Sequence, residues 1–76
     1  MTQDEVIARV LAELKKIMPE GGEIFNISFD FVRPCPGCGA VEIEIEHRGR
    51  RTMVVTFGVT CDDKLVARGL ATLLLQ

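Results

Sequence analysis

The sequence has 76 residues, 47% of them hydrophobic and 26% charged, with a formal net charge of −2 at pH 7. These values exclude a disordered chain, predict a single domain over residues 1–76 with a small core, and give no electrostatic attraction for nucleic acid. No apolar run is long enough to span a membrane, and the acidic start from Met1 to Glu5 lacks the features of a signal peptide, so we expect a cytoplasmic protein.

The first predicted element is an amphipathic helix over residues 3–18. Apolar residues recur in it at intervals of three and four, which places them on one face of a helix. Thr2 and Glu5 have the spacing of a capping box at its start. The stretch Pro-Glu-Gly-Gly at 19–22 ends the helix and turns the chain.

Three strands are predicted next, over residues 24–32, 41–46 and 52–60. Apolar and polar residues alternate in each of them, as in strands that bury one face and leave the other in water. We expect the buried face to hold all four phenylalanines and the opposite face to carry a row of solvated carboxylates. The phenylalanines are Phe25, Phe29, Phe31 and Phe57, and the carboxylates are Glu42, Glu44 and Glu46.

The hairpin between the second and third strands has a register that the alternation itself predicts. Directly paired residues share a face of the sheet, so apolar residues must pair with apolar residues. A three-residue loop over 49–51 meets this condition, whereas a two-residue turn places charge on the core face. The predicted pairs are Val41 with Val59, Ile43 with Phe57 and Ile45 with Val55. Continued to the end of the hairpin, this register puts Cys61 beside Cys38.

The last predicted element is a second helix over residues 64–75, with Asp62 or Asp63 as its N-cap. Both helices must then cover the single apolar face of the sheet. The expected fold class is α+β, a three-stranded antiparallel meander with two helices on one face, in the order αβββα. The apolar end Leu73–Leu75 predicts a homodimer through a helix face.

The stretch CPGCG at residues 35–39 resembles the knuckle of the zinc-ribbon and rubredoxin-like families. In those families two knuckles hold one metal ion. Here the second knuckle is reduced to Cys61, with Lys64 where a fourth cysteine would stand. The sulfurs of Cys35, Cys38 and Cys61 would occupy three corners of a tetrahedron, which suits zinc. Iron, or no metal, is the alternative.

The fourth ligand is the open point of this predicted site. The resemblance covers residues 34–64, and within them His47 is near the hairpin tip, about 26 Å from Cys61 at the rise of a strand. Asp62 and Asp63 are the nearest oxygen donors along the chain. The predicted metal ligands are Cys35, Cys38, Cys61 and Asp63. A water molecule, a substrate or a ligand from a second chain is the alternative to the carboxylate.

These features predict a small zinc-binding module whose metal holds the strand ends together and which binds a partner protein. A second interpretation is a thiol-redox or iron–sulfur protein. The first helix is followed by the stretch 19–24, a hairpin, cysteines and a last helix, and this order is similar to that of the NifU C-terminal scaffold domain. The hairpin tip, with His47, Arg48, Arg50 and Arg51, is interpreted as a solvated turn rather than a phosphate site. An enzyme has little support, since no Ser-His-Asp set or phosphate loop is present.

Overall fold

A computed structural model describes residues 2–34, 37 and 39–75 of the chain. The described part contains one helix, α1 (Gln3–Ile17), and four strands: β1 (Glu23–Phe31), β2 (Ala40–Arg48), β3 (Thr52–Cys61) and β4 (Lys64–Leu74). The strands form one antiparallel sheet in the order β1-β4-β3-β2, so β1 and β2 are its edges. The predicted fold class is therefore wrong, because four strands and one helix replace the three-stranded meander with two helices.

Helix α1 forms as its sequence predicts. The hydroxyl oxygen of Thr2 accepts a hydrogen bond from the Glu5 amide at 3.2 Å, and the Glu5 carboxylate accepts one from the Thr2 amide at 3.3 Å, so the capping box is present. At the other end of the helix Met18 is extended, as expected for a residue that precedes a proline. The apolar stripe of α1 packs into the core, and its buried residues are Val6, Val10 and Leu14.

Residues 64–75 do not form the predicted second helix, because 64–74 are strand β4. Asp62 and Asp63 have positive φ angles of 53° and 63°, which make a two-residue type I′ turn and not a helix N-cap. This turn returns the chain beside β3, where Cys61 pairs with Lys64. The aspartates therefore close a tight hairpin.

A bulge in β4 explains why its sequence resembles that of a helix. A register shift against β3 makes Val66 an extra residue, so the neighbours Val66 and Ala67 are both buried. Regular alternation begins only after this bulge, and its buried residues are Ala71, Leu73 and Leu75. Because Leu73 and Leu75 lie in the core, the end of the chain does not supply the helix face that was predicted for a homodimer.

The hairpin of β2 and β3 confirms the predicted register. Its loop is the three residues 49–51 between the two strands. The observed pairs include Val41 with Val59, Ile43 with Phe57 and Ile45 with Val55. Nearer the tip the register shifts by one residue, so Glu46 is an extra residue in β2. The Glu46 carboxylate accepts a hydrogen bond from the Thr56 hydroxyl at 3.2 Å.

The four phenylalanines do not all enter the core, which corrects the prediction for one of them. Phe25 is 69% exposed because a register shift in β1 makes it the extra residue of a bulge. The Phe29 ring stacks on Phe31 with centroids 5.8 Å apart and tilts against Phe57 at 5.0 Å. Gly69 of β4 pairs with both Phe29 and Phe57, and a Cβ atom there would collide with the Phe57 ring. Glycine at this position therefore lets the two rings meet across β4.

The connection from β1 to β2, here called the crossing segment, joins the two edges of the sheet, and its described residues are 32–34, 37 and 39. The amides of Val32 and Arg33 both donate to the Val66 carbonyl, at 2.9 and 3.3 Å, which holds the start of this crossing segment to β4. Further along, Gly37 lies close to Cys61, since a Cβ atom on Gly37 would be 3.9 Å from Cys61 Sγ. The described residues of the crossing segment thus lie at the end of the sheet that is nearest to the first turn of α1.

Candidate functional site

A cavity of about 340 Å³ lies where the crossing segment leaves β1, beside the first turn of α1. Small-molecule sites have volumes of about 300–1,000 Å³, so this cavity is at the small end of that range. Three parts of the chain meet in it: the first turn of the helix, the end of β1 with the residues that follow, and the bulge of β4. The lining residues are Gln3, Val6, Phe31, Val32, Arg33, Pro34 and Val66.

The walls of the cavity are mostly apolar and its mouth carries a positive charge. Val6 and Val66 are core residues that also face the cavity, and Phe31 is partly buried beside them. Val32 is 45% exposed and therefore lies at the mouth. Arg33, the charged residue of the lining, is exposed and forms no ion pair within the described part of the chain. The cavity therefore suits a ligand with an apolar end and an anionic end.

The first turn of α1 brings hydrogen-bond donors to this cavity. Gln3, the first helical residue, is among the lining residues and has an amide side chain. The backbone N–H groups of Glu5 and Val6 are bonded to Thr2, whereas those of Gln3 and Asp4 have no partner among the described residues. Such amides carry the positive end of the helix dipole and favour negative charge. The start of α1 at Gln3, which lines the cavity, therefore favours a ligand group that carries negative charge.

Two carboxylates belong to the same turn of α1, those of Asp4 and Glu5. The Glu5 carboxylate accepts hydrogen bonds from the amide and the hydroxyl group of Thr2, as part of the capping box. Asp4 is exposed and forms no hydrogen bond or ion pair with the described residues. Its side chain is not part of the cavity lining, but it adjoins Gln3, which is. Asp4 is therefore the carboxylate of this turn that no described residue engages.

The predicted metal ligands fall only partly within the described residues. Cys35 and Cys38 lie outside them. Cys61 is buried near Gly37, and Asp63 is exposed in the turn that follows. In the part of the chain that the structure describes, no group of three or more His, Cys, Asp or Glu side chains could hold a metal ion. The four-residue ligand set itself stays a prediction.

The basic hairpin tip lies at the other end of the molecule from the cavity. Its residues are exposed: His47, Arg48, Arg50 and Arg51. His47 pairs with Val54 near the start of β3, whereas Cys61 ends that strand, so the two are at opposite ends of the hairpin, as the sequence predicts.

The cavity was not predicted from the sequence. The residues that follow β1 carry a signal, since Val32, Arg33 and Pro34 place a charge and a proline directly after an apolar strand. The remaining walls depend on Gln3 and Val66 coming together. That contact exists only if residues 64–74 are a strand beside β1, and the helical interpretation hid it.

No family model matches this sequence, and no curated protein matches it. Solved structures do match it. A protein of Bacillus halodurans, solved with CoA, has a TM-score of 0.79 at 21% identity, covering 100% of this chain and 56% of that protein. A thioesterase of Thermus thermophilus, solved with CoA and zinc, has a TM-score of 0.78 at 16% identity, covering 100% of this chain and 70% of that protein. A phenylacetic acid degradation-related protein of Ralstonia eutropha has a TM-score of 0.70 at 26% identity, covering 80% of this chain and 48% of that protein.

These likenesses show a hotdog-like fold, in which a helix lies against one face of an antiparallel sheet. Helix α1 and all four strands belong to the shared part, because two of the alignments cover the whole of this chain. The chain spans about half the length of two of these proteins and 70% of the third.

The comparisons and the fold correct the predicted identity of the protein. The zinc-ribbon resemblance is wrong, because within residues 34–64 the structure describes strands β2 and β3 of a hotdog-like sheet. The zinc-binding module and its zinc cofactor are wrong as well, because the similar structures hold CoA and no metal-binding group occurs among the described residues. The NifU-like outline needs a last helix where β4 is found.

The expectations on the membrane, the cellular location and the partner protein have different outcomes. No helix in the described part of the chain is long and apolar enough to cross a membrane. The cytoplasmic location and the partner protein stay predictions.

Proposed function

We propose that this protein binds an acyl-CoA thioester and acts as a thioesterase. The observation that carries the proposal is the cavity at the first turn of α1, where apolar walls, helix amides and Arg33 complement the three parts of such a substrate. The fold is similar to those of a thioesterase and of a second protein, both solved with CoA, and this likeness supports the same substrate class.

Each part of the substrate has a complement in the cavity. The acyl group would contact the apolar walls, where each buried CH₂ group contributes about 0.8 kcal/mol. The cavity volume of about 340 Å³ favours a short chain or a single ring over a long fatty acyl chain. The phosphate groups of CoA would lie outside the mouth beside Arg33, because a guanidinium group can donate two parallel hydrogen bonds to phosphate. The thioester carbonyl then falls next to Gln3.

Hydrolysis of the thioester needs two kinds of group from the first turn of α1, hydrogen-bond donors and a base. The oxygen of a water molecule bonds to the carbonyl carbon, and its proton passes to a base. The carbon–sulfur bond then breaks and the base returns the proton to the leaving sulfur, which releases the carboxylic acid and the thiol of CoA. The N–H groups of Gln3 and Asp4 would stabilise the negative charge that develops on the carbonyl oxygen. The Asp4 carboxylate would accept the proton from the water.

The test is a hydrolysis assay with acyl-CoA esters of increasing chain length. Loss of the thioester absorbance is the suitable signal, because a thiol reagent can also react with cysteines of the chain, which has three. Binding is measured by calorimetry, since the chain has no Trp or Tyr as a fluorescent reporter. We expect turnover of short acyl or aryl esters and weak turnover of long-chain esters. Absence of turnover for the whole series would refute the enzymatic part of the proposal.

Three variants separate the roles of the cavity residues. Val32→Trp should block the mouth and abolish binding, and Arg33→Ala should raise KM with little change in kcat. Asp4→Asn should lower kcat by about 10²–10⁴-fold with little change in KM. Leu70→Trp is the matched control, because Leu70 is 42% exposed and pairs with Thr56 on the face opposite the core. Equal losses in Val32→Trp and Leu70→Trp would show that the cavity is not the site.

The homodimer also stays a proposal, and the surface that fits it is the edge strand β1. If β1 pairs antiparallel with a second copy about Ser28, then Asn26 faces Asp30 and no like charges oppose each other. The partly buried Ile27 and Phe29 would also be covered further. Size-exclusion chromatography with light scattering tests this pairing, and a monomer at high micromolar concentration would contradict it.

A further inference from the structure

Strand β2 is the second open edge of the sheet. In the described part of the chain β2 pairs with β3 alone, so its other row of N–H and C=O groups is available to an added strand. Open edges are commonly protected by proline or by very short strands. Strand β2 has nine residues and no proline. The bulge at Glu46 leaves residues 40–45 as its regular part, which is long enough to pair with a short extended peptide.

The side chains along this edge alternate between two chemical types. On the helix side Val41 and Ile43 are partly buried, and Ile45 is 51% exposed. On the other side Glu42 and Glu44 are exposed, and neither forms an ion pair with the described residues. A strand added here would cover apolar surface on one face and meet two carboxylates on the other.

A depression of about 280 Å³ lies next to the two carboxylates, on the face of the sheet away from the helix. Gly58 pairs with Glu42 and contributes no side chain to fill it. Thr56, which pairs with Glu44, also lines the depression. A long aliphatic side chain with a cationic end could lie over Gly58 and reach both carboxylates. Lysine has this shape, and arginine is similar.

A second copy of this chain is a poor occupant of the β2 edge. Antiparallel pairing of β2 with itself places glutamates opposite glutamates in either register that keeps the apolar residues together. Like charges directly opposite each other destabilise a sheet. The charge pattern therefore selects a different chain, with cations where this strand has carboxylates.

We propose that β2 accepts an extended segment of a partner protein as a fifth strand of the sheet. The segment carries Lys or Arg at two positions separated by one apolar residue. The cations pair with Glu42 and Glu44, the apolar residue packs beside Ile43 and Ile45, and backbone hydrogen bonds join the segment to residues 40–45. Main-chain pairing supplies the affinity and the alternating side chains supply the specificity, as in other cases of strand addition. This proposal does not depend on the thioesterase activity.

The test uses a short capped peptide that alternates lysine with valine, with binding measured by calorimetry on the full chain. The first control peptide alternates glutamate with valine. The second is the lysine peptide with N-methyl groups on alternate residues, which removes the backbone donors and keeps the charge. We expect the lysine peptide to bind at least about tenfold more tightly than either control. Equal binding of the lysine and glutamate peptides, or of the methylated and unmethylated ones, would overturn strand addition.

A charge-reversal variant locates the binding surface. Glu42→Lys/Glu44→Lys should reverse the preference, so that the glutamate peptide binds and the lysine peptide does not. Glu13→Lys/Glu20→Lys has the same net charge and changes residues outside the sheet, the half-buried Glu13 and the exposed Glu20, so it should keep the wild-type preference. An unchanged preference in the first variant would refute the proposal. A change of oligomeric state in that variant would identify a second copy as the occupant and would also overturn it.

Discussion

The turn between β3 and β4 is where the strand and the helix interpretations of residues 64–75 predict opposite results. Asp63 has a φ of 63°, in the left-handed region that costs an L-residue about 1–2 kcal/mol and costs glycine little. Glycine also loses more backbone entropy on folding, by about 0.5–1 kcal/mol. Since glycine is strongly preferred at the second position of a type I′ turn, we expect Asp63→Gly to raise the free energy of unfolding by about 0.5–1 kcal/mol. Asp63→Ala keeps the Cβ atom and loses the polar side chain, so it should lower stability by about 1 kcal/mol.

Thermal unfolding followed by far-UV circular dichroism distinguishes the two structures. For a domain of this size about 1 kcal/mol shifts the melting temperature by about 4–8 °C, so the two variants should move in opposite directions by measurable amounts. If Asp63 were instead the N-cap of a helix, both variants would lower stability, glycine by a few tenths of a kcal/mol and alanine by about 0.5–2 kcal/mol. A lower melting temperature for Asp63→Gly than for the wild type would therefore refute the hairpin.

Three further substitutions test the packing. Gly69→Ala brings a Cβ atom into the Ser28 carbonyl oxygen and the Phe57 ring, so stability should fall by about 1–3 kcal/mol in urea unfolding. Thr2→Ala removes the capping box and should cost about 1 kcal/mol by the same measurement, whereas an unchanged midpoint would contradict the cap. Phe25→Ser should change stability by less than about 0.5 kcal/mol, because Phe25 is 69% exposed, and a large loss would place it in the core.

Local sequence signals were sufficient where the pattern of one element is uninterrupted. Helix α1 has both a regular apolar stripe and a capping box, and its start at Gln3 agrees with the prediction. The pairing of β2 with β3 followed from burial alone, since only one register keeps Ile43 opposite Phe57 and charge out of the core. The bulge at Phe25 had no comparable signal, because Phe25, Ile27 and Phe29 fit an uninterrupted alternation in the sequence, and the extra residue is visible only in the pairing of β1 with β4.

The candidate site was beyond the reach of the sequence because it depends on contacts between distant residues. Gln3 and Val66 are far apart in the chain and line one cavity only after β4 has paired with β1. The CPGCG stretch at 35–39 gave a strong local signal for metal, and that signal directed the functional interpretation away from the helix N-terminus. A short motif reports on its own residues, whereas a cavity is a property of the assembled elements.

The sequence by itself determined the amphipathic helix, three of the strands and the register of their hairpin, because each depends on a periodicity that neighbouring residues carry. The tertiary structure alone decided the state of residues 64–74. Their apolar spacing, interrupted at Val66, satisfies a helix as well as a strand, and the choice is made by pairing on both sides with β1 and β3. That pairing turns a predicted meander into a four-stranded sheet with a cavity at one end.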